Sequence, residues 1–326
     1  MSSRLIADDL EKQLNERVVS VEPIPAGHSG FTYFVETEAS KRYVLRLPPP
    51  GARIAATADV VRQARIMSSL HAVGIPTPAI PYMSSEPVVD GRPFVLMEAV
   101  EGLRIEETSK REKPEEIAAS AVGVLKRLHT LPVEQSGIGD EEPMPLVAEM
   151  MRWAMLMQRA PEELTSRAGE LGGLLAAGVP AERTPTLVHG DYHYGNMLFR
   201  GPEVVAVLDW EIAQIGQPLM DLGCLAIMSH RSQFKDAESP GGTVALPDED
   251  LFALYGAGGD EMNWYVAMSL YKYAAILGYN LMLHQRGKRP DPFYETLTTT
   301  ITGMIDEGIE ILSPHPPLHL PPVVGR

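Results

Sequence analysis

L-V-H-G-D-Y-H-Y-G-N-M-L-F at residues 187–199, followed by V-V-A-V-L-D-W-E at 204–211, decides how the rest of the chain is read. Thr186, Leu187 and Val188 lead into the first segment, and Val204 to Leu208 form a second apolar, β-branched run. Both flanks therefore read as short buried strands. Polar side chains emerge where those strands end: Asp191, then Asn196 five positions on, then Asp209 at the close of the second run. A carboxylate, an amide and a second carboxylate on one rigid base can bring a hydroxyl nucleophile and metal-bound phosphates together.

The order matches a mechanism. In kinase-type phosphoryl transfer one Asp orients the acceptor hydroxyl, an Asn five residues later holds metal, and a downstream Asp holds the metal that bridges the terminal phosphates. H-G-D-Y-H-Y-G-N, L-D-W-E and I-G-Q-P-L-M-D-L-G at 215–223 together resemble the aminoglycoside phosphotransferase and choline kinase family, small-molecule kinases with the protein-kinase fold. The likeness extends weakly over nearly the whole chain. It implies an α+β, bilobal, protein-kinase-like architecture, with a small antiparallel-sheet N-lobe and a mainly helical C-lobe. It also implies ATP and Mg2+ as cofactors, Asp191 as catalytic base, Asn196 and Asp209 as magnesium ligands, and Asp221 as a structural carboxylate bracing the loop.

Residues 1–102 read as the nucleotide-binding lobe and 103–326 as the catalytic and substrate-binding lobe. Val18 to Pro25, Thr32 to Glu38 and Arg42 to Leu47 have short strand patterns. Between the first two lies A-G-H-S-G, where Gly27 and Gly30, flanking His28 and Ser29, would let backbone N–H groups approach phosphates. Arg46 stands where kinases place a phosphate-pairing Lys, keeping the charge on a bulkier planar group. The following helix, about Thr57 to Ala72, offers Gln63 where kinases supply a Glu partner, with Asp59 one turn earlier as a substitute. R-P-F-V-L-M then runs into a hinge near 98–102. There Met97 would face an adenine, and the backbone of Glu98 and Val100 would bond its edge.

Two other readings use the same residues. His189, Asp191 and His193 alternate, so an extended segment would place them on one face as ligands of a metal-dependent hydrolase. The missing Glu keeps open a degenerate kinase-fold module that only binds nucleotide. Net charge −15 speaks against nucleic acid or an anionic membrane surface as partner. The single Cys224 excludes an internal disulfide. No targeting segment or membrane span is legible, so a cytoplasmic location is expected. Pro114 to Leu131 and the run from Met262 to His284 read as buried helices, the latter carrying Tyr271, Lys272 and Tyr273. The acceptor is expected to be a small-molecule hydroxyl, of an amino sugar or polyamine or of a hydroxylated acyl-CoA. Local features are nearer the branch related to hydroxyacyl-CoA kinase domains.

Overall fold

The computed structural model describes residues 3–24, 31–52, 58–230 and 244–313. It begins with helix α1 (Ser3–Leu14), followed by strands β1 (Val18–Pro23), β2 (Phe31–Thr37) and β3 (Arg42–Leu47), helix α2 (Val60–Ala72), and strands β4 (Tyr82–Val89) and β5 (Arg92–Glu98). The five strands make one antiparallel sheet in the order β1-β2-β3-β5-β4. Alternation in β2 and β3 sends Tyr33, Val35, Tyr43, Leu45 and Leu47 to one face. There Ile6, Leu10 and Leu14 of α1, spaced by four, close a small core of their own. The pairs Arg46↔Val95 and Val44↔Met97 occupy the opposite face.

After Glu98 the chain is mainly helical: α3 (Ile105–Thr108), α4 (Pro114–His129), α5 (Leu146–Met157), α6 (Glu162–Thr165) and α7 (Ala168–Ala177). Then come β6 (Thr186–Val188), β7 (Met197–Arg200), β8 (Glu203–Val207) and β9 (Gln214–Gly216), and helices α8 (Leu219–His230), α9 (Asp248–Tyr255), α10 (Asp260–Gln285) and α11 (Thr298–Leu312). The α4 helix starts on Pro114 with two glutamates in its first turn, as the sequence predicts. The long run from Met262 is α10, a 26-residue helix buried on several faces. Among the described residues no helix is long and apolar enough to cross a membrane.

Three strands escaped the sequence reading. β7 is the M-L-F tail of the motif itself, and its four residues pair with β8 as a hairpin. β9 has three residues, pairs with β6, and contains a Gly. β4 includes Ser84, Ser85, Glu86 and Pro87, and its ladder breaks between Ser84 and Val89. All three owe their strand state to a partner rather than to local propensity.

Candidate active site

The β6 strand ends on Val188, and the next residues form the loop that carries Asp191. Asp221, wholly buried near the start of α8, accepts hydrogen bonds from the backbone N–H groups of His189 (2.7 Å) and Gly190 (2.8 Å). His129 Nε2 lies 3.3 Å from the same carboxylate. Gly190 has φ +81°, and a Cβ there would fall 2.6 Å from the Ile212 carbonyl oxygen, so only glycine fits.

His189 joins the two motif segments. Its Nδ1 accepts from the Asp191 N–H (3.1 Å), so its proton sits on Nε2, which donates to the Leu208 carbonyl (2.8 Å) next to Asp209. Burial holds this imidazole neutral, lowering its pKa against the pull of Asp221 and Asp191. Both ring nitrogens are thus engaged, and the reading of His189, Asp191 and His193 as a shared ligand face fails on this geometry. Among the described residues no group of three or more His, Cys, Asp or Glu side chains is placed to hold a metal ion.

Asn196 sits in the turn that starts at His193 and gives both amide hydrogens to Asp191, one to its carbonyl (3.0 Å) and one to Oδ2 (2.9 Å). Its own side-chain oxygen has no partner among the described residues. His193 accepts from the Gly195 N–H at Nδ1 (3.1 Å), leaving Nε2 3.4 Å from Asp191 Oδ2. The Tyr273 hydroxyl, from α10, donates to Oδ1. Burial acts to raise the Asp191 pKa, but His193, Lys272 and the Tyr273 hydroxyl outweigh it and hold the carboxyl well below the usual range. Lys272 is buried, donates to the Gly190 carbonyl and lies 3.4 Å from Cys224 Sγ. Burial opposes its charge, but Cys224, Asp191 and Glu149 together keep it protonated.

Asp209 lies just beyond β8 with φ +63°, a left-handed backbone that non-glycine residues seldom adopt. Its carboxylate is one-third exposed. Arg46 reaches it at 3.3 Å and Glu211 at 3.1 Å. The charged groups of β3 and of the L-D-W-E segment therefore meet, whereas the sequence reading offers Asp59 as the partner of Arg46. Asp59 does something else: it caps α2 by accepting from the Arg62 N–H (2.9 Å). Gln63 is buried, 1% exposed. The guanidinium one residue earlier, Arg62, makes a two-point bond to Glu141 (2.6 Å) and donates to the Ala213 carbonyl (2.9 Å). It ties α2 to the segment that follows Asp209.

The connection after β5 is built for close contact. Leu103 and Phe199 exchange backbone hydrogen bonds (2.8 and 2.9 Å), and a Cβ on Gly102 would lie 3.0–3.2 Å from Leu198, Val205 and the Phe199 carbonyl. The Glu98 N–H is spent on Ala79 and the Ala99 N–H on Arg42, while the Val100 backbone has no partner among the described residues. A hollow of about 660 Å³ opens here, lined in part by Phe34, Tyr43, Glu98, Val100 and Gly102. Met97 is buried beside Val44 on the face shared with Arg46. Gly27, His28, Ser29 and Gly30 lie outside the described residues.

Residues 20–265 match the model of a family described as the phosphotransferase enzyme family. The chain belongs to that family. A solved structure from Ralstonia eutropha, provisionally described as an aminoglycoside phosphotransferase, superposes on this chain with a TM-score of 0.76 at 24% identity, covering 94% of this chain and 97% of the other. A thermostable mutant of aminoglycoside phosphotransferase APH(4)-Ia, in ternary complex with AMP-PNP and hygromycin B, gives 0.66 at 13% identity over 94% and 98%. These likenesses establish the kinase-like bilobal fold. Acyl-CoA dehydrogenase family member 11 of Rattus norvegicus is 27% identical over 90% of this chain and 40% of its own length. Family member 10 of Mus musculus is 28% identical over 77% and 25%. The chain thus spans between a quarter and two-fifths of the length of these curated relatives.

Sequence reading missed three residues of the site. Glu211 could have been found as the second carboxylate of D-W-E. Arg62 and Tyr273 carried no local signal, because each gains its meaning from a partner at least 79 positions away.

Proposed function

We propose that the protein transfers the terminal phosphate of ATP to a hydroxyl of a small molecule, with Asp191 as the catalytic base. The observation that carries this reading is the Asp191–Asn196 pair, in which Asn196 bonds both the backbone carbonyl and the carboxylate of Asp191 and keeps a hard oxygen donor of its own. Depressed proton affinity keeps Asp191 ionised at neutral pH, so it accepts a hydrogen bond from the acceptor hydroxyl and orients its lone pair for in-line attack. As the oxygen–phosphorus bond forms and the bond to the ADP oxygen breaks, the hydroxyl proton passes to this carboxylate. Asn196 and Asp209 supply oxygen ligands of the kind Mg2+ takes and would hold it. When bound, the metal supplies neutralisation of charge on the terminal phosphates.

In this reading residues 1–102 hold the nucleotide and 103–326 the acceptor. Val44 and Met97 face the adenine from the sheet and Leu198 and Val205 from β7 and β8, with the Glu98 and Val100 backbone at the 98–102 hinge. Arg46, braced by Asp209 and Glu211, faces the phosphates, to which the sequence reading also assigns Gly27, His28, Ser29 and Gly30. Among acceptors, a hydroxylated acyl thioester is favoured over an amino sugar by the name shared by the relatives, acyl-CoA dehydrogenase.

The test is ADP release from ATP and Mg2+ with a panel of hydroxyacyl-CoAs, aminoglycosides and small alcohols, beside Asp191→Asn. Turnover with one class, lost about 10²- to 10⁴-fold in the variant, is expected. Tight ATP binding with no Asp191-dependent turnover on any acceptor would establish the degenerate binding module instead.

A further inference from the structure

The polar neighbours of Asp191 are unevenly shared between its two oxygens. A carboxylate offers about four lone-pair positions, two on each oxygen. Oδ2 accepts from Asn196 Nδ2 at 2.9 Å and has His193 Nε2 as a second polar neighbour at 3.4 Å. Oδ1 meets one, the Tyr273 hydroxyl. One-quarter of the Asp191 side chain is still open to solvent. Oδ1 is therefore the less crowded of the two oxygens.

Tyr273 is held where it can define that position. Its ring packs edge-on to His193, with centroids 6.5 Å apart, and lies 4.9 Å from the Lys272 ammonium. Consecutive residues of α10 thus hold the loop at two points, Lys272 at the Gly190 carbonyl and Tyr273 at the Asp191 carboxylate. Burial and the Asp191 charge push the phenol pKa well above its ordinary value, so the group keeps its proton and donates a hydrogen bond to the carboxylate.

We propose that Tyr273 positions Asp191 and marks the seat of the acceptor, whose hydroxyl donates to Oδ1 beside the Tyr273 hydroxyl. This rests on the phosphotransfer reading above. The acceptor proton moves to Oδ1 as the new phosphate ester bond forms. Tyr273 neither gains nor loses a proton, but its hydrogen bond fixes the plane in which that oxygen presents its remaining lone pair.

The experiment compares wild type, Tyr273→Phe, a protein with 3-fluorotyrosine at 273, and Asp191→Asn. The readouts are ADP release from ATP and Mg2+ with solvent water as acceptor, the calorimetric Kd for ATP, and Tm. Loss of a hydrogen bond to a charged group predicts a kcat for Tyr273→Phe lower by about ten- to a hundredfold. The Kd for ATP should stay close to wild type, any loss of Tm should leave the protein folded at the assay temperature, and fluorotyrosine should restore the rate. An undiminished rate in Tyr273→Phe, with Asp191→Asn impaired, overturns the proposal while leaving phosphotransfer standing. A loss of rate matched by a loss of ATP binding, or one that fluorotyrosine does not restore, also overturns it, since Tyr273 would then only fill the wall. A wild type that neither binds ATP nor releases ADP removes the underlying reading, and the proposal with it.

Discussion

Asp221→Asn isolates the bracing of the catalytic loop from its chemistry. In the native loop two backbone N–H groups, of His189 and Gly190, each point at a separate oxygen of a wholly buried carboxylate. Asparagine keeps one of these as a neutral bond and turns an amide NH2 toward the other donor. A hydrogen bond to a charged group is worth about 1.5–3 kcal/mol, and an unsatisfied buried donor costs about 1–3 kcal/mol. Their combination predicts a loss of about 3–5 kcal/mol, or a Tm lower by about 6–15 °C for a protein of this size. Urea unfolding gives the first quantity and ADP release below the transition gives kcat, which should fall because Asp191 hangs from the same loop. A variant destabilised by less than about 1 kcal/mol with unchanged kcat would show that Asp221 does not hold the loop.

Gly190→Ala combines left-handed backbone strain with a 2.6 Å approach to the Ile212 carbonyl, and about 2–5 kcal/mol of stability should be lost in chemical denaturation. Arg46→Ala should raise the KM for ATP by about ten- to a hundredfold, and an unchanged KM removes Arg46 from the nucleotide site. His189 has a depressed pKa in the fold, so the unfolded chain binds more protons below about pH 6.5. Its contribution to stability is therefore present above that pH and declines as pH falls. The urea midpoint of wild type should drop more steeply from pH 7 to 5 than that of His189→Gln, and equal slopes would refute the buried neutral assignment.

Much of the site was legible because its key groups lie close together in sequence. Asp191, Asn196 and Asp209 span 19 positions, and short strands ending at known places fix where such neighbours point. The sheet was legible where alternation was clean, in β2 and β3, and illegible in β4 and β9, which have too few apolar residues to form without a partner. The Gln63 problem was legible as a departure but not as a solution. Asp59 was free to be a partner for Arg46 or a helix cap, and the capping bond to Arg62 is formed within one turn of chain.

The sequence by itself determined the fold class, the family motif and the order of the polar groups, since these depend on spacing and on apolar periodicity along the chain. Only the tertiary structure decided which partners those groups take. Arg46 meets Asp209 and Glu211 across 163 and 165 positions, and Tyr273 meets Asp191 across 82. Hydrogen bonds and ion pairs act over about 3 Å, and separation along the chain says nothing of such distances until packing of the core has brought α10 and β3 against the loop.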